Sequence, residues 1–242
     1  PILPTLKLTP RSDWLSVKAG CNNSHPAKGD GKTDDTAAIQ ACFDTLSGTS
    51  HAGGTILLPA GHYVVTKPLL LSSVLGGTVV GTGETTVLVW KGAKGGNSSI
   101  IWSNGISRSR VMGMVLDGRS GCDVGIDHYS HTLFETRIRH SNLKFLGFNR
   151  AGIQIGGHDG LPEGTQSAEI IYQNVIFDGN GHGCKGLPFP PMTGRGCGGV
   201  AALNFNDYDN VFDGAHFSNN SYGIYCDKMA NVYVRNSRFE QS

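Results

Sequence analysis

"SNLKFLGFNRAGIQI", residues 141–155, returns in altered form as "QNVIFDGNGHG" at 173–183, "DGAHFSNNSYGIYC" at 213–226 and "RNSRFEQS" at 235–242. The shared pattern is an asparagine or small residue, two residues, a phenylalanine, then glycine or asparagine, then Gly-Ile. The phenylalanines are Phe145, Phe177, Phe217 and Phe239, at intervals of 32, 40 and 22 residues. A basic period of about 22 with insertions fits these intervals, because one coil of a parallel β-solenoid takes on the order of twenty residues and takes insertions in its loops. Each repeat then places one apolar side chain in the same interior stack, and asparagines stack at the turns.

The rest of the chain agrees. "GTILLP", "HYVVT", "GTVVG", "TTVLVW", "SIIW", "SRVMGMVLDG", "GVAALNFN" and "NVYVRNSRF" are short runs rich in Val, Ile, Leu and Phe, separated by Gly, Asn, Asp and Ser. No helix-length pattern separates them, which argues against a doubly wound α/β fold. An antiparallel β-sandwich also gives many short strands. It does not give recurring Asn-x-x-Phe…Gly-Ile units, and Asn-Gly hairpin turns are few. Helical periodicity is clear once, in "DDTAAIQACFDTL", where Ala38, Ile39, Cys42, Phe43 and Leu46 fall on one face. Asp34, Asp35 and Thr36 precede that face as N-cap and first-turn residues. The class is therefore all-β, a parallel solenoid with a short N-terminal helix.

The length of 242 residues suits one domain, here residues 1–242, with a cap over about 11–66 and coils over about 67–242. Lysine and arginine number 20 against 19 acids, a net charge of +1 that offers no bulk attraction to nucleic acid or an anionic membrane. No run of about eighteen apolar residues marks a membrane span. The start, "PILPTLKLTP", lacks the pattern of a signal peptide and fits a mature form with its signal removed. Six cysteines permit disulfides. Cys184 and Cys197 flank the insertion "KGLPFPPMTGRG" and form the best single pair; Cys21 and Cys42 can tie the N-terminal loop to the helix. Both fit an oxidising location, secreted, cell-surface or periplasmic.

"KGDGKTDDTAAIQACF…GGTILLPAGHYVV" closely resembles the N-terminal signature of the pectate-lyase-like right-handed parallel β-helix superfamily. The similarity covers residues 13–66. It is to the branch that includes bacterial glycan-active enzymes, fungal β-1,3-glucanase-type proteins and phage tailspikes. The resemblance implies a right-handed parallel β-helix with a short N-terminal capping α-helix, in which Asp34 and Asp35 start the helix. It also implies a polysaccharide partner, cleaved by a glycoside hydrolase or a polysaccharide lyase in a groove along one sheet. A non-catalytic tailspike, adhesin or cell-surface module is the alternative, with a virion tail as its location. The chain stops in mid-repeat, which reads as a fragment of a longer protein or as an end covered by a second copy in a homo-oligomer.

Cleavage needs either two carboxylates flanking a glycosidic bond or a base that removes a proton beside a uronate carboxyl, often with a cation. Residues one coil apart lie about 4.8 Å apart across a parallel sheet. Aligning the Gly-Ile strands brings together Asp123 and Asp127, then Gln154, His158 and Asp159, then Asp178 and His182, then Asp227 and Lys228. Asp127, His158, Asp159, Asp178 and His182 are the candidate catalytic groups, and Gln154, Tyr208, Asp227 and Lys228 the candidate substrate-binding ones. "GNGHG" is similar to the Gly-His-Gly strand of polygalacturonases, but that family's Asn-Thr-Asp, adjacent Asp-Asp and Arg-Ile-Lys are missing. Asp207 and Asp209 alternate as oxygen ligands would around calcium, the one cofactor the sequence suggests; without the EF-hand glycine and glutamate they read as turn residues. The insertion between Cys184 and Cys197, stiffened by Pro188, Pro190 and Pro191, would wall the groove. No tryptophan lies in it, so stacking on sugars there falls to Phe189, Tyr208 or Tyr222.

Overall fold

The Asn-x-x-Phe repeat is the bend of a coil. At Gly113, Asn142, Asn174, Gly214 and Asn236 the backbone takes φ of 70, 50, 51, 68 and 49°. Glycine visits this left-handed region freely, and asparagine at lower cost than most residues. All five follow one register, Met112–Ser141–Gln173–Asp213–Arg235, so each sits at the same place in a successive coil. Three residues later comes an inward side chain. Phe145, Phe177, Phe217 and Phe239 pair in register and stack with ring centroids 5.0, 4.9 and 4.6 Å apart. The Gly-Ile that follows is the next corner. A Cβ on Gly152 would lie 2.7 Å from Phe177 Cδ1 and 2.9 Å from the Gly199 carbonyl oxygen, so the ring stack leaves room only for glycine there.

The computed structural model describes residues 1–22, 24–48, 53–129, 134–156, 167–184, 197–202, 209–226 and 231–240. Its strands pair in parallel and wind as a right-handed parallel β-helix with three faces. Sheet 1 contains Leu69–Ser72, Ser99–Asn104, Val124–His128, Ala151–Ile155, Gly198–Ala202 and Ile224–Cys226. Sheet 2 runs from Leu15–Ser16 through Thr55–Leu58 and Thr78–Gly81 to Val232–Arg235. Sheet 3 runs from Asp30–Asp34 through Gly61–Val65 and Thr86–Trp90 to Arg238–Glu240. The long strands Arg110–Asp117 and Arg139–Leu146 carry the left-handed bend within them and so belong to both. The strand ladder starts earlier than the sequence suggests, because residues 15–65 already supply strands to sheets 2 and 3.

Helix α1 (Thr36–Phe43) stands where a further strand of sheet 1 would lie and buries Ile39, Cys42 and Phe43. Its Gln40 amide acts as a short strand. Gln40 Oε1 accepts from Leu70 N at 2.7 Å and Gln40 Nε2 donates to Leu70 O at 3.1 Å, which satisfies an open sheet edge. The aspartates ahead of the helix divide the work differently from the sequence reading. Asp35 occupies the N-cap position without capping; its carboxylate accepts from Lys28 N at 2.6 Å and Gly29 N at 3.1 Å. Asp34 accepts from Thr36 N at 3.0 Å and from the Thr66 hydroxyl at 2.7 Å. Asp30 accepts from Thr33 N and Lys32 N, both at 2.8 Å, and these bonds hold its carboxyl down to about 2. Disulfides join Cys21 to Cys42 and Cys184 to Cys197. Among the described residues no helix is long and apolar enough to cross a membrane.

One polar cluster interrupts the core at the corner between sheets 1 and 2. His128, Glu135, His140 and Ser167 are fully buried and Ser103 nearly so. His128 Nδ1 lies 3.0 Å from Glu135 Oε2 and 2.9 Å from Ser103 Oγ, and Ser167 Oγ donates to Glu135 Oε2 at 3.2 Å. The two Nε2 atoms of His128 and His140 are 2.9 Å apart, so one carries the shared proton. His140 also tops a second ring stack, on Tyr172 at 5.3 Å and through it Phe212 at 4.5 Å. Burial first, then the neighbouring His128, holds the His140 imidazole well below the ordinary histidine range.

Two outcomes follow from these stacks. Replacing Phe177 by alanine removes one of the two inner rings of the stack of four and is expected to cost about 3–5 kcal/mol in chemical denaturation. Because His140 takes its proton less readily folded than unfolded, the stability it contributes is complete above about pH 6.5 and is lost as pH falls below that value toward its folded pKa. Melting the wild type and His140→Phe between pH 7.5 and pH 5.5 (roughly the range of histidine titration) checks this: the wild type loses stability on the acid side and the variant loses less.

Candidate functional site

Strict register turns each strand of sheet 1 into a rung. Outward residues one coil apart form a column, Leu70–Trp102–Asp127–Gln154–Ala201–Tyr225. Their neighbours in sequence, Leu69, Ile101, Ile126, Ile153, Val200 and Ile224, turn into the core. Period-two alternation in the strand sets this, so the residue after each inward aliphatic faces out. Asp127 and Gln154 are thus adjacent, and they are 1 % and 0 % exposed. Asp127 is the only carboxylate within the six strands of the sheet.

A relay of hydrogen bonds crosses this face. Arg150, at the corner before its strand, is buried and donates through NH1 to Asn97 Oδ1 at 3.2 Å and through NH2 to Gln154 Oε1 at 2.9 Å. Gln154 Nε2 in turn donates to Asp127 Oδ1 at 3.4 Å. The amide thereby bridges a guanidinium and a carboxylate. Two residues beyond Asp127 stands Tyr129, also buried, whose ring lies 5.7 Å from that of Trp102. Burial first, then the Asp127 charge, pushes the Tyr129 phenol up and keeps it protonated. Among the described residues the Trp102 indole N–H has no hydrogen-bond partner, which leaves a donor beside Asp127. Behind the relay, Asp123 accepts from Asn97 N and from Asn149 Nδ2, both at 2.9 Å. Asp123 therefore fixes the turns that carry Asn97 and Arg150.

The sequence alignment of Gly-Ile strands needs one correction. The coil after Gln154 is completed by Gly198–Ala202, not by "GNGHG", because the insertion between Cys184 and Cys197 separates that strand from its own phenylalanine. Asp178 and His182 consequently stand away from the Asp127 column. Asp178 lies on sheet 3, where its carboxylate accepts from Ser218 Oγ at 3.1 Å and Asn219 Nδ2 at 2.7 Å. His182 opens the single turn His182–Cys184 between sheets 3 and 1 and is exposed. His158, Asp159, Tyr208, Asp227 and Lys228 lie outside the described residues, as do Asp207 and the body of the proline-rich insertion. Asp209 accepts from Asn231 Nδ2 at 3.3 Å as a turn residue. Among the described residues no cluster of three or more His, Cys, Asp or Glu is arranged to hold a metal ion.

Sequence reasoning missed Trp102, Tyr129 and Arg150. The signal for Trp102 was available: "IIW" has the offset of "GID" and "GIQ", one residue after the inward isoleucine. Arg150 gave none, since it is placed by a turn rather than by strand alternation.

Comparison with known proteins supplies the wider setting. The chain is 27 % identical over 195 residues to alginate lyase 7 of Azotobacter vinelandii, covering 65 % of this chain and 22 % of that protein. The ORF18 structure of Geobacillus virus E2 superposes with a TM-score of 0.59 at 17 % identity, over 95 % of this chain and 50 % of that one. A putative glycosyl hydrolase from Parabacteroides merdae superposes with a TM-score of 0.65 at 13 % identity, over 93 % and 94 % of the two chains. The chain thus spans about a fifth of the lyase and half of the viral protein. The family described as rhamnogalacturonase A/epimerase, pectate lyase-like matches residues 23–242, and the chain belongs to it.

Proposed function

We propose that this chain acts on a polysaccharide lying along the outer face of sheet 1, and that the chemistry is proton abstraction from a uronate followed by β-elimination. The observation that carries this is the relay Arg150–Gln154–Asp127 flanked by Tyr129 and Trp102. Hydrolysis calls for a pair of carboxylates, and among the described residues the strands of sheet 1 offer Asp127 alone. Elimination calls for a base, an acid and a group that stabilises the uronate carboxyl as negative charge builds on it. Asp127 takes the proton beside the carboxyl. As the new C=C bond forms, the glycosidic C–O bond breaks, and the protonated Tyr129 phenol gives its proton to the leaving oxygen. Arg150 and Gln154 face the uronate carboxyl. The partly exposed rings of Trp102 and Tyr225 border the column and offer stacking surfaces for sugar rings. Asp127 is kept from bulk water, which strengthens its interaction with a substrate that reaches it.

The relative named an alginate lyase supports a uronate substrate. The two disulfides support a secreted or cell-surface location. The test is a panel of alginate, polygalacturonate, rhamnogalacturonan and neutral glucans, read in parallel for unsaturated uronate by ultraviolet absorbance and for reducing ends. The expected result is unsaturated product from an acidic member, with Asp127→Asn lowering kcat/KM by about 10³-fold and an unchanged melting curve. Reducing ends without unsaturation would show a hydrolase. Binding without turnover of any member would show a non-catalytic glycan-binding module.

Gln154 is a positioning residue in this scheme. Gln154→Ala is expected to lower kcat more than it raises KM, with Gln154→Glu failing to restore activity because an added carboxylate repels Asp127. Equal kinetics in all three proteins would remove Gln154 from the site.

A further inference from the structure

A second charged surface stands on sheet 2, around the corner from the Asp127 column. Arg108, Arg110, Arg137, Arg139, Glu169 and Asp209 line an open groove of about 540 Å³ that crosses four successive coils. Arg110 and Arg139 pair directly in register, both exposed. Like charges opposite each other in a sheet are destabilising. Arg108 and Arg137 recur one coil apart at a second bend, with φ of 52 and 56°, a conformation a long side chain adopts at a cost. Among the described residues one of the four is paired with an acid: Arg137 Nε meets Glu169 Oε2 at 3.2 Å. Among the described residues no carboxylate pairs with Arg108, Arg110 or Arg139, whereas the exposed Arg11, Arg119, Arg235 and Arg238 each have an acid within reach.

We infer that this arginine groove binds an anionic polysaccharide, carboxylated or sulfated, as a site separate from the Asp127 column. The four guanidinium groups stand two to a coil on adjacent coils about 4.8 Å apart, so they present a compact cationic patch to the carboxylates or sulfates of an extended chain. Each is a planar fork suited to bidentate bonds with carboxylate or sulfate. The apolar lining, Ile138, Ile171 and Val211, carries no aromatic ring, and the column offers one only at its next coil, Tyr233. Single-stranded nucleic acid binders rely on such rings to stack bases, and a net charge of +1 supplies no general attraction to a phosphate polyanion. The choice of polysaccharide as the polyanion rests on the reading of sheet 1 given above; the existence of the site rests on the arginines alone. A long glycan that wraps the corner would touch both faces, so this groove would hold polymer near the column.

Affinity electrophoresis in gels containing polygalacturonate, alginate, dextran sulfate or neutral dextran tests the proposal, with a labelled oligothymidylate titrated separately. The proteins are the wild type, Asp127→Asn, the double variant Arg110→Gln/Arg139→Gln, and Arg108→Gln as an independent second probe. Wild type and Asp127→Asn should be retarded alike by at least one acidic glycan and not by neutral dextran, with the retardation falling as salt rises. The double variant should bind that glycan at least about tenfold more weakly, with Arg108→Gln intermediate, while short oligosaccharides cleaved by the wild type are still cleaved at the same rate. Exposed positions relieved of repulsion should not lower the melting temperature. Undiminished retardation of the double variant, or no retardation of the wild type by any acidic glycan, overturns the site. Tighter binding of the oligothymidylate than of every acidic glycan, lost in the double variant, overturns the ligand class. Loss of turnover in Asp127→Asn with retained retardation separates this result from the fate of the elimination reading.

Discussion

Everything in this protein depends on one constraint, that from Thr55 onward each strand pairs with the next coil in unshifted register, the one shift lying earlier, between Asp30 and Asp34. A parallel ladder cannot slip by one residue without turning every inward side chain outward. The column of left-handed residues from Gly113 to Asn236 guards against this, because a slip would force leucine or valine into a conformation that glycine and asparagine tolerate better. Insertions are accordingly confined to the turns. The interval between Phe177 and Phe217 is 40 residues against 22 for the next pair, yet both pairs stack at nearly the same separation.

Register makes neighbours of whatever occupies a column, with favourable and unfavourable results. For the phenylalanines the result is an aromatic stack buried in the core. For His140, which occupies the inward column above Tyr172, it places a titratable ring where burial disfavours its charged form, answered by His128 and Glu135. For Arg110 and Arg139 it sets like charges side by side on the outside, and among the described residues no acid pairs with either. At the first coil, where no earlier strand exists, the helix takes the vacant position and Gln40 supplies one backbone-like donor and acceptor pair. The acidic segment that leads into it tethers loops and bends, with Asp35 holding Lys28 and Gly29.

The fold was legible because its two structural signals are local. Asn or Gly three residues before Phe marks the bend and the ring, and Gly-Ile marks the corner and the inward strand. The candidate site was legible only as far as strand alternation reaches. Asp127 and Gln154 share an offset from the inward isoleucine, and they are adjacent in space. Asp178 and His182 looked equivalent because "GNGHG" follows a phenylalanine as "FNRAGI" does, but the strand that completes their coil begins only at Gly198. Arg150 and Tyr129 sit just outside strand ends, where turn geometry rather than period two aims the side chain. Asp35 was misread in detail: its position is that of a cap, while its carboxylate finds better donors in the preceding loop.

The same columns are what the proposed elimination rests on. A solenoid builds a carboxylate pair most simply by placing acids on adjacent coils, about 4.8 Å apart in the column, close to the separation of about 5–5.5 Å that retaining hydrolases use. Here the two positions flanking Asp127 are Trp102 and Gln154. Where a second acid would stand, the amide of Gln154 accepts from a guanidinium on one side and donates to the carboxylate on the other. A carboxylate at that position would set a second acid beside Asp127 or bind Arg150 as a closed ion pair. The amide instead keeps a carboxylate and a guanidinium one residue apart on the same face, an arrangement that, in the proposed reaction, sets a base and a cation on either side of a sugar carboxylate.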